Sequence, residues 1–226
     1  MQRIDFLVDD FDKLIKEKGM NVLWEEAMLC SCIGHTGQPD YNCPYCKGSG
    51  FIYAEPKKTI VASTKLVGKK VFDDIGMREA GTAYITSLST VLLGYHDRLT
   101  FVDYNAKYSQ TIQIKFGKSL KLKRKIKSLV AVRYRGLNID IQKVEIINDG
   151  WGIKIPPELI SDYKYEGKAD DPNNYSVSLL FITAPVYSIL DITHELRATT
   201  IGNSSTFREL PKQYQIKRED FTYEQG

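Results

Sequence analysis

All four cysteines of this chain lie in one run, Cys30-Ser-Cys32-Ile-Gly-His-Thr-Gly-Gln-Pro-Asp-Tyr-Asn-Cys43-Pro-Tyr-Cys46-Lys-Gly-Ser-Gly50. The spacing is C-x-C, ten residues, then C-x-x-C. Two close thiol pairs separated by a short, turn-rich loop suit a tetrahedral four-thiolate zinc site. Each pair supplies two sulfurs at one chain reversal, and the loop brings the pairs together. Cys30, Cys32, Cys43 and Cys46 are therefore the candidate ligands of a structural zinc ion, with His35 replacing one thiolate as a minor variant. Four protein ligands leave no open coordination position, so such a metal orders a loop rather than performing chemistry. Gly34, Gly37, Pro39, Gly48 and Gly50 shape the turns. In the stretch from Cys43 to Gly50 the pattern C-x-x-C-x-G-x-G lets backbone amides approach the sulfurs.

The remaining chemistry-bearing residues form weaker patterns. His96 sits in Leu93-Gly-Tyr-His-Asp-Arg-Leu99 and His194 in Asp191-Ile-Thr-His-Glu-Leu-Arg197. Each has an acidic neighbour, as acid–base catalysis needs, but one such pair reads more simply as a turn or surface residue. No serine or threonine lies in a nucleophile elbow. Asp170-Asp-Pro-Asn-Asn174 lacks the spacing of a calcium loop. The sequence therefore predicts a protein that is not an enzyme.

Lys115 to Lys127 concentrates charge, holding Lys115, Lys118, Lys121, Lys123, Arg124, Lys125 and Lys127. Leu120, Leu122 and Ile126 interrupt it, as in an exposed strand or hairpin. One reading is a solvated or subunit-facing edge whose lysines block aggregation. The other is contact with nucleic acid or an acidic partner through Lys118, Lys121, Lys123, Arg124, Lys125 and Lys127, each phosphate contact adding salt-dependent affinity.

Around these residues the expected class is mainly β: a barrel or sandwich body with an N-terminal helix and a small zinc-ribbon-like insertion. Residues 3–18 place Ile4, Phe6, Leu7, Phe11, Leu14 and Ile15 on roughly one helical face, and Gly19 marks a stop. That face packs on its own domain or docks on a neighbouring subunit. Residues 1–29 are thus helix and lead-in, 30–50 the zinc knuckle and 51–203 the β body. Short alternating runs such as Thr59–Thr64, Ala83–Leu88, Gln110–Phe116, Ile139–Ile147 and Tyr175–Ile182 predict its strands. Asn148-Asp-Gly150 predicts a hairpin turn between Val144–Ile147 and Trp151–Ile155. Residues 204–226 read as an extended C-terminal arm suited to strand addition on a neighbour.

The bulk numbers are those of an ordinary globular chain of 226 residues, 42% hydrophobic and 26% charged. Its net charge of +3 does not by itself imply nucleic-acid binding. No apolar run approaches the ~18–20 residues of a membrane span, so no membrane partner is expected. Met-Gln-Arg-Ile-Asp-Phe-Leu-Val-Asp-Asp interrupts its apolar residues with acids too early for a signal peptide. The expected compartment is a reducing cytosol, where clustered cysteines favour metal over disulfides.

The eight residues Cys43–Gly50 resemble one repeat of the zinc region of DnaJ-type chaperones, although the tandem repeats and the J domain are absent. A longer resemblance joins the N-terminal helix, Thr36-Gly-Gln-Pro-Asp40 before the second cysteine pair, the β-rich body, Phe181–Arg197 and Glu209–Asp220. Together these resemble the neck proteins of tailed bacteriophages, the head-to-tail connector or head-closure components. The resemblance implies a virion structural protein, assembled in the host cytoplasm as a homo-oligomeric ring, hexamer or dodecamer. Its implied neighbours are portal or adaptor and tail proteins, around a channel that carries DNA. The alternative class is a zinc-binding nucleic-acid-binding module acting as a monomer.

Overall fold

The computed structural model describes residues 8–34, 37–65, 81–119, 122–161, 164–165, 168–169, 174–193, 198–200 and 207–219. The chain divides into two units, residues 1–103 with 186–226 and residues 104–185.

The first unit opens with helix α1 (Val8–Lys18) and strand β1 (Met20–Glu25). The short strands β2 (Ala27–Leu29) and β3 (Phe51–Tyr53) bracket the cysteine run, and β4 (Lys57–Lys65), β5 (Thr82–Ser87) and β6 (Arg98–Phe101) follow. Val8 and Ile15 are buried on α1, which packs on β4 within its own unit. Gly19 ends the helix because it must: its N–H donates to the Ile15 carbonyl at 2.8 Å. A Cβ there would sit 2.3 Å from that oxygen and 2.4 Å from Ile60 Cγ2. The Asp12 carboxylate accepts from the backbone N–H and hydroxyl of Ser89, tying the helix to the turn after β5.

The second unit holds β7 (Ala106–Lys115), β8 (Lys118–Ser119), β9 (Ser128–Tyr134), β10 (Leu137–Ile139), β11 (Glu145–Ile147) and β12 (Gly152–Lys154). After α2 (Glu158–Ser161) come the short β13 (Lys164–Tyr165) and β14 (Lys168–Ala169), then the long β15 (Asn174–Thr183). The chain returns to the first unit with β16 (Val186–Ile192), β17 (Ala198–Thr200), β18 (Phe207–Glu209) and β19 (Gln213–Arg218).

Six strands of the first unit form a closed antiparallel barrel in the order β1-β4-β5-β19-β16-β6. Closure pairs every edge, which removes the templates for unwanted strand addition. Alternation directs Val22, Val61, Ile85, Leu99, Phe101, Ile189, Tyr214 and Ile216 into one core. Tyr214 is fully buried, and its hydroxyl accepts from the Leu93 N–H at 3.3 Å.

Residues 21–29 read as a short strand or helix turn leading into the cysteine run; Met20–Glu25 is a strand, and it pairs with both β4 and β6 as part of the barrel. Gln213–Arg218, read as part of a C-terminal arm, lies between β5 and β16 and completes the barrel. Its alternating Tyr214 and Ile216 have an interior to fill, and that outweighs the polar composition around them. Residues 201–206 and 220–226 lie outside the described residues. The expected single body, 51–203, is instead divided between the two units.

In the second unit a seven-stranded antiparallel sheet runs β10-β9-β15-β7-β8-β12-β11, curved into a half-barrel. Ile112, Ile114, Val132, Tyr134, Tyr175, Val177, Leu179 and Phe181 line its inner face. The other face carries Thr111, Gln113, Lys115, Arg133, Ser176 and Ser178, all exposed. The Asn148–Gly150 turn does join β11 to β12. The expected strand Ile139–Ile147 is broken, because the Asp140 carboxylate accepts from the Gln142 N–H and starts a short 3-10 turn. Two hairpins have both central residues in the left-handed region, Phe116 (φ 50) with Gly117 (φ 76) and Arg135 (φ 46) with Gly136 (φ 87). Such turns match the strand twist, but a side chain there costs roughly 1–2 kcal/mol. Among the described residues no helix is long and apolar enough to cross a membrane.

Candidate metal centre

The cysteine run is a loop closed at its root by the β2–β3 pair, with Leu29 opposite Phe51. The Cys30 N–H continues the ladder to the Gly50 carbonyl at 2.8 Å. Cys30 leaves β2 extended, and the 3-10 turn Ser31–Ile33 then brings Cys32 back beside it. The second pair is held by a tighter knuckle. The Lys47 N–H donates to the Cys43 carbonyl at 2.9 Å, and the Ser49 hydroxyl to the Cys46 carbonyl at 2.7 Å. Gly48 (φ 84) and Gly50 (φ 80) adopt backbone angles that side chains resist, and so aim their N–H groups at the Cys46 sulfur.

These turns bring all four Sγ atoms within 4.8 Å of one another. Cys30 and Cys43 are 3.7 Å apart at sulfur, Cys32 and Cys46 3.4 Å, and all four cysteines are free of disulfides. A cation bound tetrahedrally at about 2.3 Å from each thiolate requires sulfurs about 3.8 Å apart. The two separations lie just below that value and no pair exceeds 4.8 Å, so the donor set fits a metal ion. Cys30, Cys43 and Cys46 are buried and Cys32 is half-buried.

The ionisation pattern points the same way. The Asp40 N–H donates to Cys32 and pulls its pKa down, but burial and the three neighbouring sulfurs outweigh it, pushing the thiol up to about 12. Burial also raises Cys46, yet the N–H groups of Gly50 and Gly48 and the Cys32 and Cys43 thiols bring it down to about 7. The Cys46 thiolate forms readily and Cys32 resists, because like charges share one small volume. A cation at the centre removes that resistance.

A second cluster fixes the root of the loop to the barrel. Asp97 is buried, and its carboxylate accepts from Trp24 Nε1 at 2.7 Å, the Ala27 N–H at 2.8 Å and the Gly94 N–H at 2.7 Å. Arg98 pairs with Glu25 at 3.0 Å and lies 3.6 Å over the Tyr53 ring. His96, in a left-handed turn, stacks on Phe51 with centroids 4.2 Å apart. His96 is therefore a packing residue at the loop root. The sequence shows Asp97 only as the acidic neighbour of His96; its bonds to Trp24 and Ala27 depend on pairing remote in the chain and leave no local sign.

His35 and His194, and the Asp170–Asp171 loop, lie outside the described residues, as does Lys121. The basic stretch is not wholly exposed. Leu122 and Ile126 are buried core residues whose N–H groups bond to the Trp151 and Gly150 carbonyls. Lys125 pairs with Asp149 at 2.6 Å, and Lys127 donates to the Tyr104 carbonyl and Asn105 Oδ1. Lys123 and Arg124 follow Leu122 on the same irregular segment, and each has an interaction of its own. Lys118 stands apart on β8. Comparison with protein-family models and with curated proteins found no match.

Proposed function

We propose that this chain is a structural assembly protein of the tailed-phage neck. In this reading it forms a ring that joins portal and capsid to tail around the DNA channel, with zinc as a staple. The observation that carries the structural role is the full donor set: four sulfurs within 4.8 Å of one another, able to fill a tetrahedron, leave no ligand position for substrate or water. Reduced thiols at these distances favour zinc, which has no redox chemistry and accepts an all-thiolate tetrahedron. The neck assignment rests on the sequence resemblance, and the closed barrel is compatible with it, since a ring subunit needs a rigid body whose edges do not pair at random.

Light scattering coupled to size-exclusion chromatography tests this reading, with and without purified portal rings. The expected result is a ring of six or twelve copies, alone or once portal is added. A chain that stays monomeric and unbound in both conditions overturns it. Zinc content near one per chain, measured on the same sample, tests the metal assignment separately.

A further inference from the structure

The turn between β7 and β8 presents a combination that packing does not require. Phe116 occupies its first central position with φ 50 and is 80% exposed. Asparagine or glycine fills such a position without strain, whereas a bulky residue there is an outlier. Lys115 and Lys118 flank the turn that carries it. Lys115 and Lys118 are register partners across the turn, and Lys118 also opposes Lys154 on β12. Register partners share a face, so three ammonium groups stand in one row on the exposed side of the sheet. Like charges placed opposite one another work against the sheet. Lys154 has Glu145 at 3.0 Å beyond the row, while Lys115 and Lys118 make no ion pair among the described residues.

The same face extends the pattern. Arg133 opposes Ser178, which opposes Thr111, a β7 position in phase with Lys115. Strands β7 and β9 run in the same direction on either side of β15, so the Arg135-Gly136 turn leaves the sheet at the same end as Phe116-Gly117. An exposed ring on a turn flanked by lysines suits unpaired nucleic acid: bases stack on the ring and phosphates meet the charges.

We infer that the Lys115–Lys118 hairpin tip is a binding site for single-stranded nucleic acid. Phe116 stacks on an unpaired base, and Lys115, Lys118 and Lys154 hold the flanking phosphates. A row of cations suits a linear chain of phosphates better than a planar layer of lipid headgroups. This site goes beyond the neck reading and does not depend on it.

Fluorescence anisotropy tests it with a labelled oligothymidylate of about twenty nucleotides, a length exceeding the usual footprint. A duplex of equal length and anionic phosphatidylserine vesicles serve as comparators. F116G removes the ring and relieves the backbone, so it is expected to weaken single-strand binding about tenfold without lowering the melting temperature. K115Q/K118Q is expected to reduce the slope of log affinity against log salt by about 1.4. K58Q/K143Q removes equal charge from exposed positions elsewhere and is expected to leave binding unchanged. Four results each overturn the site: no single-strand binding by the parent, unchanged affinity in F116G, an equal loss in K58Q/K143Q, or vesicle binding without oligonucleotide binding.

Discussion

Residues 30–50 and the barrel belong to the same unit yet are ordered by different forces. The barrel buries Val22, Val61, Ile85, Leu99, Ile189 and Ile216 almost completely. Among the described residues the cysteine loop has its own sulfurs and Ile52 for a core cluster, while Tyr41 and Tyr45 are 89% and 79% exposed. Where apolar burial is absent, a few strong bonds to one atom must replace many weak contacts. A consequence is that the two regions should fail separately.

Removing the metal should separate them most. Structural zinc contributes about 10 kcal/mol or more to small thiolate sites. Chelation, or C43S with C46S, should therefore abolish zinc binding and raise amide exchange throughout 30–50 while strands β4 and β19 stay protected. Uniform exchange across the barrel in the same sample would break the distinction. The opposite perturbation is Leu99→Ala, a fully buried barrel position. It should cost about 2–5 kcal/mol in chemical denaturation yet leave zinc stoichiometry intact. Asp97 sharpens the comparison because it joins the regions through three accepted hydrogen bonds. Asp97→Asn keeps the shape but loses the charge, and should cost about 1–3 kcal/mol. Its signature should be faster exchange at Ala27 and Gly94 with metal still bound.

The metal centre was the most legible part of the sequence, because its geometry is set by local spacing: two pairs, each on its own turn. Most strands were legible for the same reason, as alternation is a neighbour-to-neighbour property. Partnership was not. Gln213-Tyr-Gln-Ile-Lys-Arg218 alternates as well as any strand here, but nothing in those residues says that β5 and β16 await them. Within the basic stretch the sequence was legible for charge and not for burial: Leu122 and Ile126 read as interruptions of an exposed strand or hairpin, and both are core residues. Lys154, which completes the cationic row, is remote in sequence from Lys115 and Lys118, so only the sheet register brings it into view. The boundary of the second unit left no trace either, since it falls at Asp103-Tyr104 and Pro185-Val186 with no linker composition.

The position of β19 also sets a timetable. Synthesis proceeds from the N-terminus, and domains fold as they emerge. Residues 104–185 contain every strand of the second unit's sheet, so that unit can complete itself while the first is still partly unmade. The barrel must wait: β1, β4, β5 and β6 stand with a gap until Val186–Ile192 and Gln213–Arg218 are released. During that interval the edges of β5 and β6 are open to other strands. A premature stop before residue 213 would therefore yield a chain with one finished unit and one sticky one.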